Sequence, residues 1–230
     1  MTITLYTLCG EDTSRHFSPH VWKVVMALKH KGLDFETRPT RFTEIPTVEN
    51  GATRTVPLLR DGDRLVVDSF AIAEYLDETY PDRPSLFGGE GGRAACRFIE
   101  AWSQTQIHTS ITRIIVKDIY AMLGEKDQAY FRPTREARLG ASLDEVHAVR
   151  DQWIETLHAR LEPLRTTLAR QPYLGGEEPL FSDYIVFGAL QWLRITARIP
   201  VLKPEDPVCA WFERCLDLHE GTGRLVPAGC

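Results

Sequence analysis

Three short stretches place polar side chains or unpaired backbone groups where helices and strands are predicted to begin. Ser18 precedes a predicted helix, Val56-Pro57 precedes a predicted strand, and Asp68-Ser69 joins a strand to a helix. The first turn of a helix has N–H groups without partners and the positive end of the helix dipole, so it can bind a carboxylate or another anion. Each stretch is therefore a candidate binding element.

Each of these stretches also has a purely structural interpretation. Ser18 and Ser69 are good N-cap residues, whose hydroxyl accepts from an N–H group of the first turn. Pro57 has no N–H group and fits the start of a strand. Alternatively, a cis bond before Pro57 would leave the N–H and C=O of Val56 free to pair with an extended peptide, and Asp68 could hold an ammonium group. Taken one at a time, the residues leave both interpretations open.

The elements that would position these residues alternate between strand and helix in the first part of the chain. In order, a strand, a helix, a strand, a hairpin and a helix are predicted over residues 2–8, 19–31, 33–42, 56–67 and 69–80. The helix has apolar residues at helical spacing, and the hairpin has Asp61-Gly62 in its turn. A strand–helix–strand order predicts a right-handed crossover and a parallel pair of strands.

The chain changes character after a stretch that is rich in glycine and proline. Residues 81–92, PDRPSLFGGEGG, show little periodicity and are typical of a linker. Beyond them, helices are predicted over 93–123, 142–170, 182–199 and 206–218, with a loop around Pro133 and Gly140. The expected fold is an α/β domain followed by an all-α domain. We place the first domain at 1–82, the linker at 83–92 and the helical domain at 93–230.

Composition and charge limit the kinds of partner. A formal net charge of −5 and a pI near 5.8 give no overall electrostatic reason to bind nucleic acid or an anionic membrane. The sequence has no apolar run long enough for a transmembrane helix, and its first residues lack a secretory signal. The five cysteines are scattered and never spaced as CxxC. We expect a cytoplasmic protein with free thiols, no metal and no nucleic-acid or membrane partner.

Together, the three stretches carry a family resemblance. A serine at the first helix start, Val-Pro before the third strand and Asp-Ser at the next helix start resemble the N-terminal, thioredoxin-like domain of the glutathione transferases. The all-helical second half resembles their C-terminal domain, so the resemblance covers nearly the whole chain. The segments RFTEIP, IVKDIYAMLGEKDQAYFRPTRE and LFSDYIVFGALQW, at 41–46, 115–136 and 180–192, resemble the bacterial β-etherase-type members. Those enzymes cleave β-aryl ether bonds of lignin-derived aromatics.

This resemblance implies glutathione as the co-substrate, a hydrophobic aromatic electrophile, a role in lignin degradation or detoxification, and a homodimer. It implies that Ser18 is the catalytic residue, because related serine-type enzymes carry theirs at this helix start. Its hydroxyl would donate a hydrogen bond to the thiolate of glutathione. Ser14 is a nearby alternative, and Cys9 is a third candidate because cysteine-type members exist.

The same resemblance suggests two groups of binding residues. The glutathione-binding group is Val56, Pro57, Asp68 and Ser69. The predicted wall for the electrophile is Ile107, Ile111, Ile115, Tyr120, Tyr130, Phe131 and Trp192. Aromatic and isoleucine side chains at helical spacing also fit an ordinary core, so both interpretations of the wall remain open at this point.

Two other functions remain open from the sequence. A zeta-type transferase or isomerase acting on small electrophilic acids shares the arrangement of Ser18 and Trp22, and it would require a cationic pocket. A binding module with this fold and no catalysis is the other, since fold does not fix function. One departure from the family concerns stability. Leu180 stands three residues before Asp183, where relatives carry Ser or Thr, and the missing cap hydroxyl is expected to cost about 1 kcal/mol.

Overall fold

The N-terminal part of the chain is a small mixed sheet with two helices. The structure, a computed structural model, describes residues 2–230. The strands and helices of this part are β1 (Ile3–Leu8), α1 (Pro19–His30), β2 (Phe35–Thr40), β3 (Leu58–Asp61), β4 (Arg64–Val67) and α2 (Ser69–Thr79). The strand order is β2-β1-β3-β4, with β1 parallel to β2 and β3 antiparallel to both of its neighbours. The predicted parallel pair and hairpin are confirmed.

The rest of the described chain is helical. Its helices are α3 (Glu90–Trp102), α4 (Thr109–Ala121), α5 (Glu125–Leu139), α6 (Leu143–Ala148), α7 (Arg150–Arg160), α8 (Glu162–Leu168), α9 (Phe181–Thr196) and α10 (Pro207–Gly221). A π-helical segment, Ser103–His108, joins α3 to α4 without a break. This architecture confirms the predicted fold class of an α/β part followed by an all-helical part.

Two helical regions differ from their sequence predictions. The prediction of a loop around Pro133 is wrong, because this residue lies inside α5. Proline removes one backbone hydrogen bond from a helix, but α5 has Glu125 and Asp127 in its first turn and ends at Gly140 with a φ of 70°. These signals at its two ends favour a helix. The single helix predicted over 142–170 is three helices, α6 to α8.

The closest packing between the two parts of the chain is between α1 and α9. Trp22 of α1 meets Phe187 of α9 edge to face, with ring centroids 6.2 Å apart. A Cβ atom at Gly188 would lie only 2.4 Å from the carbonyl oxygen of Pro19. Only glycine therefore allows α9 to approach the first turn of α1 this closely, and the contact sets the position of the residue before that turn, Ser18.

The carboxylate of Asp183 organises the start of α9 from the inside. Leu180 is the N-cap and makes no side-chain cap bond. The fully buried Asp183 instead accepts from the N–H groups of Leu174 at 2.7 Å, Gly175 at 2.8 Å and Leu180 at 3.1 Å. It also accepts from Nε1 of Trp211 at 3.0 Å. These donors satisfy the carboxylate that burial would otherwise destabilise.

Candidate active site

A cavity of about 820 Å³ lies between the N-terminal part and the helices α4 and α5. Its N-terminal side is formed by residues before and within the first turn of α1 and by the loops around 42–46 and 54–56. Its other side comes from the π-helical segment, α4 and α5, together with Trp192 of α9. The cavity therefore joins a predicted glutathione-binding edge to a helical wall.

Ser18 lies at the edge of this cavity and has an unused donor. It is the N-cap of α1, and its Oγ accepts from the N–H of Val21 at 3.4 Å. The residue is 3% exposed and belongs to the cavity lining. A hydroxyl has one donor and two acceptor positions. The cap bond uses an acceptor position, so the proton of Ser18 is left to donate to a ligand.

The two alternatives to Ser18 are placed differently. Ser14 is exposed, and its Oγ donates to Oδ1 of Asp12 at 2.6 Å, so its proton is already engaged. Cys9 is buried, and its Sγ lies 3.6 Å from the carbonyl oxygen of Thr40. Burial raises the pKa of Cys9 to about 11, which disfavours the thiolate. Neither Ser14 nor Cys9 lines the cavity.

Val56 and Pro57 form an edge beside the start of β3. The peptide bond between them is cis. The pairing of β3 with β1 begins at Leu58, so Val56 lies before the ladder. Val56 lines the cavity, whereas Pro57 does not. This is the arrangement in which the backbone of Val56 could pair with an extended peptide.

Asp68, and not Ser69, caps the helix α2. The N-cap of α2 is Asp68, whose Oδ1 accepts from the N–H groups of Phe70 at 2.9 Å and Ala71 at 3.0 Å. The prediction of Ser69 as the cap is therefore wrong, because the φ of 79° at Asp68 brings its carboxylate over the first turn. The Oγ of Ser69 is buried without a hydrogen-bond partner among the described residues. Neither residue belongs to the cavity lining itself.

The predicted electrophile wall divides into two groups. Tyr130, Phe131 and Trp192 line the cavity. Four other side chains are placed elsewhere, which corrects their assignment to the wall; they are Ile107, Ile111, Ile115 and Tyr120. The three isoleucines are fully buried in the hydrophobic core. The guanidinium group of Arg132 lies over the ring of Tyr120, 4.6 Å from the ring centroid.

The isoleucines are four residues apart, which places them on one face of the helix. That face packs against other helices, and the cavity meets a different face that carries His108, Thr112 and Val116. Spacing alone therefore identified the apolar face but not which face borders the cavity.

Sequence reasoning missed four arginines in the cavity lining: Arg54, Arg113, Arg135 and Arg138. No aspartate or glutamate accompanies them in that lining. Arg135 and Arg138 lie on α5, in the region where the sequence predicted a loop. The spacing of three residues would have placed them on one helical face, had α5 been recognised.

Two imidazole rings also line the cavity. His20 of α1 and His108 of the π-helical segment line it, with ring centroids 5.3 Å apart. Burial lowers the pKa of His20 to about 3 and lowers that of His108 well below its usual value. Both rings are therefore neutral near neutral pH. Nε2 of His108 is buried and has no hydrogen-bond partner among residues 2–230.

Asp127 connects α5 to the loop after β2. Its carboxylate accepts from the N–H of Phe42 at 3.0 Å and from the N–H and Oγ1 of Thr43 at 3.0 and 2.7 Å. Asp127 is buried, and both loop residues line the cavity. This one side chain therefore holds the N-terminal wall of the cavity against its helical wall.

Known protein families identify the fold that carries this cavity. The family model described as glutathione S-transferase, N-terminal domain, matches residues 13–84. The model described as glutathione S-transferase, C-terminal domain, matches residues 94–200. The two matches together cover well over half of the chain. The chain belongs to the glutathione S-transferase superfamily.

Individual glutathione S-transferases resemble this chain along most of its length. A crystal structure of glutathione transferase GSTFuA3 from Phanerochaete chrysosporium is 28% identical, with a TM-score of 0.77, and the match covers 96% of this chain and 92% of that one. The glutathione S-transferase-like protein ustS of Aspergillus flavus is 24% identical over 78% of this chain and 75% of its own. Glutathione S-transferase Z1 of Arabidopsis thaliana is 42% identical, but over only 28% of this chain and 31% of its own.

A fourth relative agrees in fold. The structure of CsGST63524 from Ceriporiopsis subvermispora, solved in complex with glutathione, has a TM-score of 0.79 and 24% identity, and the match covers 99% of both chains. Two further findings concern the part of the chain that the structure describes. Within residues 2–230, no helix is both long and apolar enough to span a bilayer. The same residues contain no group of three or more His, Cys, Asp or Glu side chains placed to bind a metal ion.

Proposed function

We propose that this protein is a catalytically active glutathione transferase in which Ser18 activates the thiol of glutathione. The observation that carries the proposal is the geometry of Ser18. Its Oγ accepts from Val21, and its free proton lies at the edge of a cavity large enough for an aromatic ligand. Membership of the superfamily supports glutathione as co-substrate, and a relative of the same fold is named as a complex with glutathione.

The chemical task of Ser18 follows from the acidity of a thiol. A free thiol has a pKa of about 8.5, so only a small fraction is thiolate at neutral pH. The thiolate is the nucleophile. A hydrogen bond from the hydroxyl of Ser18 and the positive end of the α1 dipole both stabilise the anion. We assign the backbone of the tripeptide to Val56, next to the cis Pro57, and one of its charged ends to the turn of Asp68 and Ser69.

The proposed reaction is displacement of an aryloxy group from a β-aryl ether ketone of the lignin-derived type. The thiolate attacks the carbon that carries the aryloxy group, so a C–S bond forms as the C–O bond breaks. The leaving phenolate takes a proton from water. The rings of Phe42, Tyr130, Phe131 and Trp192 support an aromatic electrophile, because all four line the cavity.

A second candidate is transfer to, or isomerisation of, small electrophilic acids. The observation that favours it is the charge of the cavity, whose charged lining residues are all arginines. The short match to glutathione S-transferase Z1 is in accord with this candidate. The two functions share the activation of glutathione. They differ in the electrophile, and in an isomerisation the C–S bond that forms breaks again, so that glutathione is released unchanged.

The deciding experiment incubates the protein with glutathione and one electrophile of each kind. The panel contains a fluorogenic β-aryl ether ketone, maleylacetone and chlorodinitrobenzene. Release of phenol above the rate without enzyme supports ether cleavage, and preferential use of maleylacetone supports the second candidate. Neither conjugation nor isomerisation of any member of the panel, together with retention on glutathione resin, would indicate a binding module and overturn the proposed catalysis.

We also propose that the protein forms a homodimer, as membership of the superfamily suggests. Phe98 of α3 is 75% exposed and offers a position at which a contact between subunits can be tested. Light scattering after size exclusion should give twice the mass of the chain, and Phe98→Glu should shift the protein toward monomer. A wild-type protein that stays monomeric at high concentration would contradict this proposal.

A further inference from the structure

The charges that line the cavity are all of one sign. Arg54, Arg113, Arg135 and Arg138 belong to the lining, and it contains no carboxylate side chain. The protein as a whole has a formal net charge of −5. The positive lining is therefore a local property of the cavity and does not follow from the overall composition.

Among the described residues, none of these four guanidinium groups has a carboxylate within ion-pair distance. Arg132 offers a comparison on the same helix, α5, because it pairs with Glu136 at 3.4 Å and does not line the cavity. Arg113 lies 4.6 Å from the ring centroid of Trp153 and directs its Nη1 toward the carbonyl oxygen of Thr109. On α5, Arg132 thus has a carboxylate partner outside the cavity, whereas Arg135 and Arg138 line the cavity without one among residues 2–230.

Arg135 is held in place by aromatic rings. Its guanidinium group lies 4.6 Å from the ring centroid of Phe131 and 5.4 Å from that of Phe42. Burial lowers the pKa of Arg135, and the neighbouring charge of Arg138 lowers it further. A half-buried guanidinium beside a like charge is unfavourable without an anion nearby.

The helix dipole accounts for only part of this arrangement. A cation in the last turn of a helix is favoured, which applies to Arg138. Arg135 lies before the last turn of α5, and the stabilisation of a cation by the helix dipole falls off within that turn. Residues three apart share one helical face, and like charges at this spacing are destabilising. Arg138 is exposed, so the dipole and solvent suffice for it, whereas Arg135 is partly buried and donates from Nη1 only to the neutral hydroxyl of Thr134, at 3.2 Å. A ligand with a negative charge would supply the anion that Arg135 lacks and would lie within reach of Arg138 on the same face.

We propose that Arg135 and Arg138 form a subsite that binds a carboxylate carried by the aromatic electrophile. The proposal rests on the proposed transferase function and names the substrate class of the same cavity. Arginine suits this task because its planar fork donates two hydrogen bonds to a carboxylate. The rings of Tyr130 and Phe131 lie on the same helix and also line the cavity, which favours a carboxylate attached to an aryl group.

Arg54 is assigned to a different anion. Its sequence neighbours Thr55 and Val56 also line the cavity, and they belong to the edge proposed for the tripeptide. Glutathione has two carboxylates of its own, so a cation beside this edge has a ligand already. The experiment has to separate a cation that binds glutathione from one that binds the electrophile. Loss of a cation that binds glutathione affects the KM for glutathione.

The test compares para-chloro-meta-nitrobenzoate, which carries a carboxylate, with its neutral methyl ester. The ester is also larger and more reactive by itself, so the acid-to-ester ratio of each variant is compared with that of the wild type. In both electrophiles, the thiolate attacks the ring carbon that bears chlorine, a C–S bond forms, and chloride leaves as the C–Cl bond breaks. We expect Arg135→Gln/Arg138→Gln to lower the ratio of kcat/KM for the acid over that for the ester by about 10-fold or more, as expected for loss of charge-assisted hydrogen bonds. The matched control, Arg132→Gln, should leave this ratio unchanged.

A binding measurement keeps the inference separate from catalysis. Calorimetry with para-nitrobenzoate, a non-reactive acid, should give weaker binding to the double variant than to the wild type or Arg132→Gln. If the wild type conjugates neither electrophile but binds this acid through the two arginines, the proposed function fails and the subsite stands. An unchanged ratio and unchanged acid binding would overturn the subsite, as would a raised KM for glutathione with an unaltered acid-to-ester ratio.

Discussion

Nζ of Lys23 lies 3.2 Å from Nδ1 of His20, and the same ammonium group donates to both carboxylate oxygens of Glu100, at 2.7 and 2.9 Å. An ammonium group has only donors, so His20 accepts at Nδ1 and carries its ring proton on Nε2. The lysine side chain is completely buried. A buried ion pair between α1 and α3 therefore fixes the tautomer of a neutral histidine in the cavity wall.

Removal of one partner of this ion pair should destabilise the fold strongly. We expect Lys23→Met to lower the free energy of unfolding by about 3 kcal/mol, because the partly buried carboxylate of Glu100 would lose its cation partner. Lys117→Met is the control, since Lys117 and Asp144 are both well exposed, and a change below about 1 kcal/mol is expected there. Urea unfolding measures both. Equal losses in the two variants would contradict the special role of the buried pair.

Ser18→Ala should lower kcat/KM for conjugation about 100-fold, as removal of a single donor to a developing or resident anion does in other enzymes. It should also raise the pKa of enzyme-bound glutathione, followed by the ultraviolet absorbance of the thiolate. Ser14→Ala should keep near wild-type activity. Ser18→Asp provides a second control, because aspartate caps the helix but cannot donate when ionised. Recovery of activity by Ser18→Asp would mean that capping alone explains the loss.

Stability should fall on acidification because buried histidines must stay neutral in the fold. Burial lowers the pKa of His16 to about 4, whereas an unfolded histidine has a pKa of about 6.5. Between these values the unfolded chain binds a proton that the folded chain does not. This contribution is absent above about pH 6.5, costs up to about 1.4 kcal/mol for each pH unit between about 6.5 and about 4, and does not grow further below that.

The histidine at position 16 can be tested by itself. Its ring stacks on Trp22 with centroids 4.8 Å apart, and its buried Nε2 has no partner within the described part of the chain. His16→Phe should retain the stacking and remove one titrating group. Urea unfolding between about pH 7 and about pH 5 should therefore show a shallower loss of stability in this variant. Parallel curves for variant and wild type would refute the assignment.

Asp127→Ala should disturb both stability and substrate binding. It leaves the N–H groups of Phe42 and Thr43 without their acceptor, at an expected cost of about 3 kcal/mol, and it frees a loop that forms one cavity wall. We expect a several-fold rise in KM for the electrophile. Asp151→Ala is a matched control, because Asp151 also lies in the first turn of a helix but is exposed. A similar KM in the two variants would exclude this positioning role.

The sequence predicted the start of α1 well because every signal there is local. Ser18 and Pro19 suit the N-cap and first turn, and the apolar stripe that follows needs no information from distant residues. Asp68 and Ser69 were harder. Both residue types cap helices, and the choice between them depends on the unusual φ of Asp68, which sequence spacing does not express.

The place of Arg135 and Arg138 in the cavity lining could not be predicted for a different reason. Pro133 is a strong local signal against a helix, but α5 is held by contacts that are distant in sequence, such as those of Asp127 with the loop after β2. Without that helix, Arg135 and Arg138 have no common face. The assignment of Ile107, Ile111 and Ile115 to the electrophile wall was wrong for another reason. Their spacing shows that they share a helical face, but it does not show whether that face borders the cavity or packs in the core.

The close approach of Gly188 to the carbonyl oxygen of Pro19 has a consequence for engineering this protein. Side chains on α5 can be exchanged to accept new electrophiles without touching the group proposed to activate the thiol. Any larger residue at Gly188 would push on the turn that carries Ser18, although Gly188 itself does not line the cavity. Electrophile preference and thiol reactivity can therefore be altered separately through α5, whereas a change on α9 at this position would alter the reactivity toward every electrophile at once.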